Sequence, residues 1–383
     1  MPYVGKRPAT NVNLDTLFDR KTATPLIING DMQIAQRTTS GTYTGTEDEV
    51  ETCDRWKGFI GSAGTFTNTQ DTDVPTGNGF AKSWKLDCTT ADASLSSTDF
   101  FFVRQKLEGQ NVQVFKKGTA NAETFTLAFW VKSNAIGTYT CELIDADNSR
   151  SCSQSYTIVA SNTWEKKVLN FPADTTGTFG NDTGASLEVQ FWLAAGSGFS
   201  SGTLATTWET TTTTDRVASG QVNIASSTDN EWYLTGVQLE VGTFISSTLP
   251  DFQFEDFGTA LSRCQRYYQH SFPYGTARQN YSSYVAGQSD NSIGATMSST
   301  EFKTVIPFKC EMRAAPTITY YRAQNTPEDS EWTFYDGADK LNPASMASNS
   351  QTHRFTAVLT YSSGLTAGNA GLCQGNYSAD AEL

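Results

Sequence analysis

Strict alternation of apolar and polar residues is the feature that most constrains how this chain can fold. Three stretches show it clearly, at residues 125–132, 187–193 and 237–241. Successive side chains of a β-strand point to opposite faces, so each stretch has an apolar face that must be covered. Charged residues make up only 17% of the chain, and 12% is aromatic. These features predict antiparallel sheets packed as a β-sandwich.

The length of 383 residues allows two domains. Turn-forming clusters separate the predicted strands of residues 29–250, and the Thr-rich stretch 206–215 is predicted to be a surface loop. Alternation returns at residues 302–308 and 355–361, which predicts a smaller C-terminal β domain over residues 271–383. The predicted fold class is therefore all-β, with two β domains joined by a connector at residues 251–270.

A helical pattern marks this connector. Phe257, Leu261, Cys264 and Tyr268 recur at spacings of four, three and four, which places them on one face of a helix of about 14 residues. Asp256 is suited to cap the helix start, and arginines lie towards its end, where cations favour the helix dipole. A helix this short needs packing for stability, so its apolar face predicts a junction between subunits or domains.

Basic and aromatic residues interleave at residues 260–272, which read A-L-S-R-C-Q-R-Y-Y-Q-H-S-F. Such interleaving is typical of nucleic-acid surfaces. The chain, however, has 27 Lys and Arg against 40 Asp and Glu, a net charge of −13, which repels a polyphosphate at long range. We therefore expect no nucleic-acid partner and interpret the stretch as structural.

Metal and membrane sites are not indicated by the sequence. The seven cysteines form no C-x-x-C pair and there are only two histidines, which argues against a zinc site and for buried free thiols. No run of about 18 apolar residues occurs, and the N-terminus has no apolar signal-peptide core. We expect that the protein does not insert into a membrane. We also expect that it is assembled in a cytoplasm.

Residues 1–28 differ from the rest of the chain. They contain three prolines, few large apolar residues, and a net charge of +2 from four basic residues against two aspartates. Such a segment buries little surface by itself. The sequence predicts an extended peptide that docks onto a partner.

Several motifs resemble virion proteins of tailed bacteriophages, particularly tail fibres and receptor-binding proteins. In chain order they are I-I-N-G-D-M-Q-I-A-Q-R at 27–37, D-R-W at 54–56, L-T-G-V-Q-L-E-V-G at 234–242, F-E-D-F-G-T-A-L-S-R-C-Q-R-Y-Y at 254–268, M-R-A-A-P-T-I-T at 312–319 and S-A-D-A-E-L at 378–383. The closing strand at 234–242 is also similar to that of jelly-roll carbohydrate-binding modules. The motifs bracket about 90% of the chain.

The resemblance implies a virion protein assembled in the bacterial host. Residues 1–28 would dock to a phage tail or capsid protein, residues 29–250 would form a jelly roll, and residues 271–383 would face a host surface glycan or protein. Fibres of this kind are homotrimers, which would place Phe257, Leu261 and Tyr268 near the subunit junction. A capsid-decorating or head-fibre structural protein is the first alternative, and a polysaccharide-degrading tailspike is the second.

No catalytic residues are predicted. A Walker loop and a dinucleotide fingerprint are missing from the sequence, and two isolated histidines give a nucleophile few possible bases. Paired carboxylates could support glycoside hydrolysis, with Asp329 and Glu331 or Asp145 and Asp147 as the candidates. We interpret these as ordinary loop acids and expect a protein that is not an enzyme.

Calcium is left open by the sequence, and no other cofactor is expected. Asp145, Asp147 and Asn148 cluster oxygen ligands as a hard cation requires, although turn-forming residues explain the same letters.

Aromatic residues in polar loops are the candidates for stacking on sugars. They are Trp208, Tyr274, Tyr281, Tyr284, Trp332 and Tyr335.

Overall fold

The computed structural model describes residues 20–44, 52–279, 290–322, 332–335, 340–341 and 343–383. Within these residues the chain forms two compact units. The first unit comprises residues 20–31, 42–44 and 57–254. The second comprises residues 32–41 and 52–56 together with the described chain from residue 255 onward. The predicted boundary at residue 250 is therefore close, but two early segments that we assigned to the first domain belong to the second.

Two six-stranded sheets build the first unit. One has the strand order β1-β3-β4-β12-β6-β9 and the other has the order β11-β8-β7-β10-β5-β2. The strands are β1 (Ser40–Tyr43), β2 (Lys57–Gly61), β3 (Thr65–Asp71), β4 (Ser83–Thr90), β5 (Phe100–Glu108), β6 (Phe125–Ser133), β7 (Gly137–Asp145), β8 (Arg150–Ile158), β9 (Glu165–Phe171), β10 (Ala185–Ala195), β11 (Glu209–Thr210) and β12 (Glu231–Val241). The fold is a jelly-roll β-sandwich, as predicted.

Short helical turns connect some of these strands. They are the α-helices α1 (Gly109–Val112) and α2 (Ser197–Ser200) and the 3₁₀ turns Gln113–Phe115, Thr213–Asp215 and Ile224–Ser226.

The sandwich core is formed by the apolar faces that the alternation predicts. Leu187, Val189 and Phe191 of β10 are fully buried, as are Leu127 and Phe129 of β6. Phe191 and Phe129 meet edge-to-face with ring centroids 4.9 Å apart. The opposite face of β10 is also largely buried, which strict alternation does not predict and which leads to the site described below.

The second unit contains a single sheet of nine strands. Its central path is β18-β17-β21-β14-β15-β20-β19, and β13 and β16 also pair with the long strand β21. The strands are β13 (Tyr268–His270), β14 (Asp290–Thr296), β15 (Glu301–Pro307), β16 (Thr317–Arg322), β17 (Thr333–Tyr335), β18 (Lys340–Leu341), β19 (Ser345–Ser350), β20 (Arg354–Thr360) and β21 (Ala370–Asp380).

The core of this sheet includes Phe302, Trp332, Phe355 and Tyr377. The Tyr320 hydroxyl of β16 donates to the Ala347 carbonyl of β19 at 2.9 Å, which links strands that lie apart in the order of the sheet. The sheet therefore closes over its core in a sandwich-like arrangement.

The predicted helix exists but is shorter than expected. Helix α3 spans Phe257–Gln265, and Asp256 caps it by accepting from the Thr259 backbone N–H at 3.0 Å, as predicted. Tyr268 lies beyond the helix, in β13, where it is 2% exposed, whereas Phe257 is 47% exposed. The prediction of one apolar helix face shared by Phe257, Leu261 and Tyr268 is therefore wrong. The helix also belongs to the second unit, and is not a separate connector.

Motifs that are far apart in the sequence meet in an arginine–tyrosine cluster of the second unit, formed by Arg37, Arg55, Tyr267, Tyr268 and Glu382. The Arg37 guanidinium lies 3.7 Å from the Tyr268 ring centroid, and that of Arg55 lies 3.4 Å from the Tyr267 centroid. Both arginines pair with the Glu382 carboxylate. The two tyrosine rings are buried, so they are not available to stack on bases.

The cluster brings together parts of four of the motifs described above. These parts are A-Q-R at 35–37, D-R-W at 54–56, R-Y-Y at 266–268 and A-E-L at 381–383. Gln36 donates to the Asp54 carboxylate at 2.5 Å and to the Tyr268 carbonyl at 2.8 Å. Burial raises the pKa of Asp54, although Arg37 and the hydrogen bonds from Gln36 oppose the shift. Because removing one partner would leave buried polar groups unsatisfied, these four motifs depend on one another.

The N-terminal segment is only partly as predicted. Residues 1–19 lie outside the described residues. Residues 20–28 belong to the first unit, where Ile27 and Ile28 are buried and Arg20 pairs with Glu240 at 2.7 Å. The prediction that the extended peptide reaches residue 28 is therefore wrong, because its last part packs on the sandwich.

The cysteines are free thiols, as predicted. Six are buried and Cys310 is half-buried. No helix among the described residues has both the length and the apolar character needed to cross a membrane.

We predict that His270 makes the second unit acid-sensitive. Its Nε2 lies 3.0 Å from the Gln36 carbonyl, and burial, with the nearby Lys309 charge, lowers the pKa of His270 to about 4. The unfolded chain therefore binds a proton near pH 6.5 that the folded chain does not bind until about pH 4. The contribution of His270 to the free energy of unfolding is complete above about pH 6.5. It should fall by about 3 kcal/mol as the pH drops from about 6.5 to about 4.

Urea unfolding at pH 7 and pH 4.5 measures this loss. The variant His270→Gln should show a smaller loss on acidification, whereas His353→Gln, at an exposed histidine, should keep the wild-type loss. An equal loss in all three proteins would contradict the assignment.

Candidate functional site

The outer face of the sheet β11-β8-β7-β10-β5-β2 carries an unusual set of side chains. On β10 the outward residues are Glu188, Gln190 and Trp192, which alternate with the core residues. Trp192 lies opposite Phe102 of β5, which in turn lies opposite Phe59 of β2. The pairing therefore forms an aromatic row across three strands.

A second row lies next to the aromatic one and is polar. Gln190 is opposite Arg104 on one side and Glu142 of β7 on the other. Arg104 is opposite Lys57 of β2. Further along, Glu188 lies opposite Lys106 and Ile144. The face thus places ionic groups directly beside aromatic rings.

Five aromatic rings form one connected group on this face. The Phe59 ring centroid lies 5.3 Å from Phe100 and 5.5 Å from Phe102, and Phe102 lies 4.9 Å from Trp192. Phe199 of helix α2 lies 5.6 Å from Phe100 and 5.4 Å from Trp192. These distances are those of favourable aromatic pairs, so the rings hold one another in place.

Two glycines make room for this arrangement. Gly61 pairs with Phe100, and a Cβ at residue 61 would lie 2.5 Å from the Phe100 ring. A Cβ at Gly196, just before helix α2, would lie 2.0 Å from the Ser96 carbonyl oxygen. Glycine at both positions therefore lets Phe100 and Phe199 lie on the same side of the sheet.

Together these side chains line a groove of about 460 Å³, which we call the aromatic groove. Its lining residues are Phe59, Phe100, Phe102, Arg104, Ile144, Glu188, Gln190, Phe199 and Arg216. The segment that carries Arg216 forms one wall, because Ser153 of β8 bonds to both the Ala205 and Arg216 carbonyls of this segment.

Arg216 is fixed within the wall by a buried carboxylate. Its Nε lies 3.0 Å from Glu142 Oε1 and its Nη2 lies 2.9 Å from Glu142 Oε2. The Trp192 indole N–H also donates to Glu142 at 2.9 Å, and the guanidinium lies 4.8 Å from the Trp192 ring centroid. Burial raises the pKa of Glu142, although Arg216 and the hydrogen bonds oppose the shift. All of these contacts hold the Arg216 guanidinium in one orientation.

Arg104 contacts two aromatic rings and an acid. Its guanidinium lies 5.0 Å from the Phe59 centroid and 5.7 Å from the Phe102 centroid. Its ion pair with Glu188 is 3.4 Å long, and Lys106 shares the same carboxylate at 3.9 Å. Gln190 also donates to Glu188 at 2.9 Å.

The chemistry that this groove can perform is recognition. Its lining residues include no histidine, cysteine or serine. Glu142 is sealed beneath Arg216 and Trp192, and Glu188 accepts from Gln190 and pairs with Arg104. Half-buried Phe59, Phe100 and Phe199 offer apolar ring surface, while guanidinium and amide groups beside them can bond to a polar ligand.

The two tryptophans predicted to stack on sugars are not exposed, so that prediction is wrong for both. Trp208 is 8% exposed, because its Thr-rich segment folds back and its indole N–H donates to the Pro172 carbonyl at 2.8 Å. Trp332 is 2% exposed and its N–H donates to the Asn376 carbonyl at 2.8 Å. Trp332 borders a cavity of about 380 Å³ in the second unit, but its ring is largely covered.

The tyrosine candidates have different surroundings. Tyr274 is 43% exposed and meets the exposed Phe257 edge-to-face at 5.1 Å. Its hydroxyl accepts from the Ala35 backbone N–H at 3.1 Å. Tyr335 is 38% exposed on β17. Tyr281 and Tyr284 lie outside the described residues, and so do the carboxylate candidates Asp329 and Glu331.

In the loop of residues 145–148, for which the sequence leaves calcium binding open, Asp145 faces an ammonium group. The Lys117 Nζ bonds to the Asp145 carboxylate, to Asp174 at 3.0 Å and to the carbonyls of Thr176 and Gly177 at 2.9 Å. Asn148 donates to Asp145 as well, through its backbone and side chain. Asp147 accepts from the Gly180 N–H at 2.7 Å. We call Lys117, Asp145 and Asp174 the buried lysine cluster.

The buried lysine cluster explains two sequence features at once. Lys117 lies 5.1 Å from the Trp208 ring centroid, so this tryptophan covers a buried charge. Burial would raise the pKa of Asp174, but hydrogen bonds from Arg150, Thr176 and Lys117 outweigh burial and lower it. Among the described residues, no group of three or more His, Cys, Asp or Glu side chains could hold a metal ion.

Sequence reasoning missed the aromatic groove, although a signal was present. The stretch F-F-F-V-R-Q-K at residues 100–106 reads as a strand whose outward positions are Phe100, Phe102, Arg104 and Lys106. Aromatic residues on the face that also carries arginine and lysine indicate a face that is neither core nor ordinary surface.

Comparisons with known proteins give low similarity. No family model and no curated protein matches the chain. Among solved structures, the enzymatically active domain of bacteriophage CBA120 tailspike protein 4 is 14% identical with a TM-score of 0.30, covering 57% of this chain and 21% of that one.

Two further structures cover 57% of this chain. The first is TmCBM61 in complex with β-1,4-galactotriose, which is 8% identical over 99% of its own length, with a TM-score of 0.28. The second is a putative sugar binding protein from Bacteroides thetaiotaomicron, which is 14% identical over 100% of its length, with a TM-score of 0.29. These scores are all below 0.5, so function has to be inferred from the residues of the groove.

We predict that Lys117 and its neighbour Lys116 differ sharply in their effect on stability. Lys117→Met would remove the buried cation that pairs with two carboxylates. This loss should lower the free energy of unfolding by about 3–5 kcal/mol. Lys116 is exposed and pairs with Glu123 at 2.9 Å, so Lys116→Met should cost less than about 1 kcal/mol.

Urea unfolding followed by tryptophan fluorescence would report the difference. Equal and small losses for the two variants would show that the cluster contributes little to stability.

Proposed function

We propose that this protein binds a glycan in the aromatic groove without chemically altering it. The carrying observation is that half-buried phenylalanine rings line the groove directly beside fixed guanidinium and amide groups. Sugar rings have an apolar C–H face that packs on aromatic rings, and hydroxyls at their edges that need hydrogen-bonding partners. The groove offers both kinds of contact on one rigid sheet.

Preformed geometry supports binding at this site. Glu142, Gln190 and Trp192 fix Arg216 before any ligand arrives, and the rings pack on one another. Little side-chain freedom would therefore be lost on binding, which favours affinity.

The bonding of the groove carboxylates supports a role without catalysis. Glycoside hydrolysis requires one carboxyl that donates a proton and a second that acts as nucleophile or base. Glu142 has no exposed side-chain surface, and both of its oxygens are already bonded to Arg216 or Trp192. Such a carboxylate is poorly placed to reach a glycosidic bond.

We further propose that the chain is a bacteriophage virion fibre protein, with the host cell surface as the source of the glycan. This proposal rests on the resemblance of the six motifs, four of which share the arginine–tyrosine cluster. The N-terminal residues 1–19 would attach the chain to a tail or capsid protein, and the chain would act as a homotrimer. A capsid-decorating structural role is the alternative if no receptor is bound.

We predict that removing single rings from the groove weakens glycan binding. Phe59→Ala and Phe100→Ala should each reduce affinity about 5- to 30-fold, by analogy with aromatic stacking on bases at roughly 1–2 kcal/mol. Phe254→Ala is the control, because Phe254 is exposed in the first unit and packs on Phe80 and Phe252 instead.

Affinity electrophoresis in gels that contain host polysaccharide measures the effect. Unchanged migration of both groove variants would refute the site. Release of new reducing ends from the polysaccharide would refute the non-enzymatic proposal.

We predict that the chain is a trimer whose N-terminus is needed only for incorporation into particles. Three copies of the 41.7 kDa chain give about 125 kDa by light scattering. Deleting residues 1–19 should leave a folded trimer that is no longer recovered with purified virions. A mass near 42 kDa for the full-length protein, or loss of folding on deletion, would contradict this proposal.

A further inference from the structure

We infer that Glu188 and Arg216 select an uncharged sugar by bonding to two neighbouring hydroxyl groups of the glycan in the aromatic groove. This inference rests on the proposed function, and it adds two specificity-determining residues and the chemical class of the ligand. It follows from which polar atoms of the groove are left without a hydrogen bond by the protein itself.

Arg216 keeps one nitrogen for a ligand. Its Nε and Nη2 bond to the Glu142 carboxylate, and Nη2 also donates to Gln190 Oε1 at 3.2 Å. The Nη1 nitrogen carries two more N–H groups, which donate to no atom of the residues that the structure describes. The side chain keeps 16% of its surface exposed, and Nη1 is not fully buried. Nη1 is therefore a donor of fixed orientation that is open to the groove.

Glu188 keeps one acceptor in the same way. Its Oε2 accepts from Gln190 Nε2 at 2.9 Å and from Arg104 at 3.4 Å. Its Oε1 lies 3.9 Å from Lys106 Nζ, a distance that allows an ion pair but is too long for a hydrogen bond. Within the described part of the chain, Oε1 accepts no hydrogen bond, and it is not fully buried. A ligand O–H group can therefore donate to this oxygen.

Gln190 fixes the donor and the acceptor relative to each other. Its side-chain oxygen accepts from Arg216 and its side-chain nitrogen donates to Glu188, so reversing the amide would break both bonds. The residue is 2% exposed. The open Nη1 and the open Oε1 therefore belong to two groups that are bonded to opposite ends of one buried amide.

Two neighbouring sugar hydroxyls match this arrangement. One hydroxyl can accept from Arg216 Nη1, and the next can donate to Glu188 Oε1. A carboxylate, sulfate or phosphate on the sugar would bond to Arg216 but would bring a negative charge beside Glu188. An amino sugar would pair with Glu188 but would bring a positive charge beside Arg216. Each charged group is therefore opposed by one of the two residues, whereas a hydroxyl is opposed by neither.

The aromatic rings place a sugar suitably for these bonds. Outward residues that follow one another along a strand are about 6.6 Å apart, and Gln190 is one such step from Trp192 in the aromatic row. Phe59 lies in the same row, opposite Phe102. The hydroxyls of a pyranose lie at its edge, so a sugar whose C–H face packs on Phe59 would direct edge hydroxyls towards the polar row.

The first experiment uses the full-length chain and an array of neutral oligosaccharides together with carboxylated, sulfated, phosphorylated and amino-substituted derivatives of the same backbones. We expect the tightest binding from neutral members, which should exceed their charged derivatives at least about ten-fold. This comparison uses only the wild-type protein, so it stands even if a variant fails to fold.

The second experiment replaces single hydroxyls of the tightest neutral oligosaccharide by fluorine, which cannot donate a hydrogen bond. One replacement should weaken binding to the wild-type chain about ten-fold, because hydrogen bonds to charged groups are the stronger ones. The same replacement should weaken binding to Glu188→Gln less than about three-fold, since the charged acceptor is already lost. Glu123→Gln is the matched control, because Glu123 pairs with Lys21 and Lys116 outside the groove.

Arg216 is tested by its conservative replacement. Arg216→Lys keeps a cation beside Glu142 but has no second nitrogen for a ligand, so it should weaken binding of the unmodified oligosaccharide about ten-fold. Removing the oxygen next to the fluorine-sensitive position should weaken binding to the wild-type chain but not to Arg216→Lys.

The outcomes separate this inference from the proposed function. Tighter binding of charged derivatives would overturn the assignment of an uncharged sugar and leave glycan binding intact. Fluorine replacements that affect the wild-type chain and Glu188→Gln equally, or that affect neither, would overturn the role of Glu188. Loss of binding in Phe59→Ala without any change in Glu188→Gln and Arg216→Lys would refute this inference alone. Binding to no array member and to no host polysaccharide would overturn both proposals.

Discussion

The two-residue period of strand β10 is the constraint on which the first unit depends. This strand lies between β5 and β7, so both of its faces are set by neighbours on each side. Phe191 enters the sandwich core, and the next residue, Trp192, enters the aromatic group on the opposite face. A register slip of one residue would exchange the core and groove faces, and it would break both at once. The hydrophobic core therefore specifies the geometry of the groove.

Ionic groups in this protein are buried only where several contacts satisfy them. The buried lysine cluster surrounds one ammonium with two carboxylates and two carbonyls, and Glu142 is bonded by Arg216 and Trp192. Burying such groups costs desolvation energy that their mutual attraction only partly offsets. These buried ionic groups have a fixed orientation, because each charge has one arrangement that satisfies its partners. In the groove, the contacts with Glu142 therefore fix the orientation of the Arg216 guanidinium before a ligand binds.

The sequence allowed prediction of those features that depend on local patterns. Alternation placed Leu187 and Val189 in the core, and Asp256 capped a helix because a carboxylate can accept from a backbone N–H three residues later. Contacts between distant residues were not predictable in this way. The polar neighbours of Trp208 predict an exposed ring, but the Pro172 carbonyl and Lys117 cover it. Phe100 and Phe102 were missed because a strand pattern does not show what lies over its outer face.

Arginine beside an aromatic ring occurs in both units, yet the two settings have different consequences. Arg55 stacks on Tyr267 and pairs with Glu382, and all three side chains are buried. The interaction therefore stabilises the second unit. Arg104 lies over Phe59 at the border of a groove, and its carboxylate partner is shared with Lys106. The same pair of residue types is structural where the guanidinium is buried with its acid, as at Arg55, and lines a groove where part of the guanidinium stays exposed, as at Arg104. The exposure of the charged group, which only the fold determines, therefore distinguishes a structural contact from the wall of a groove.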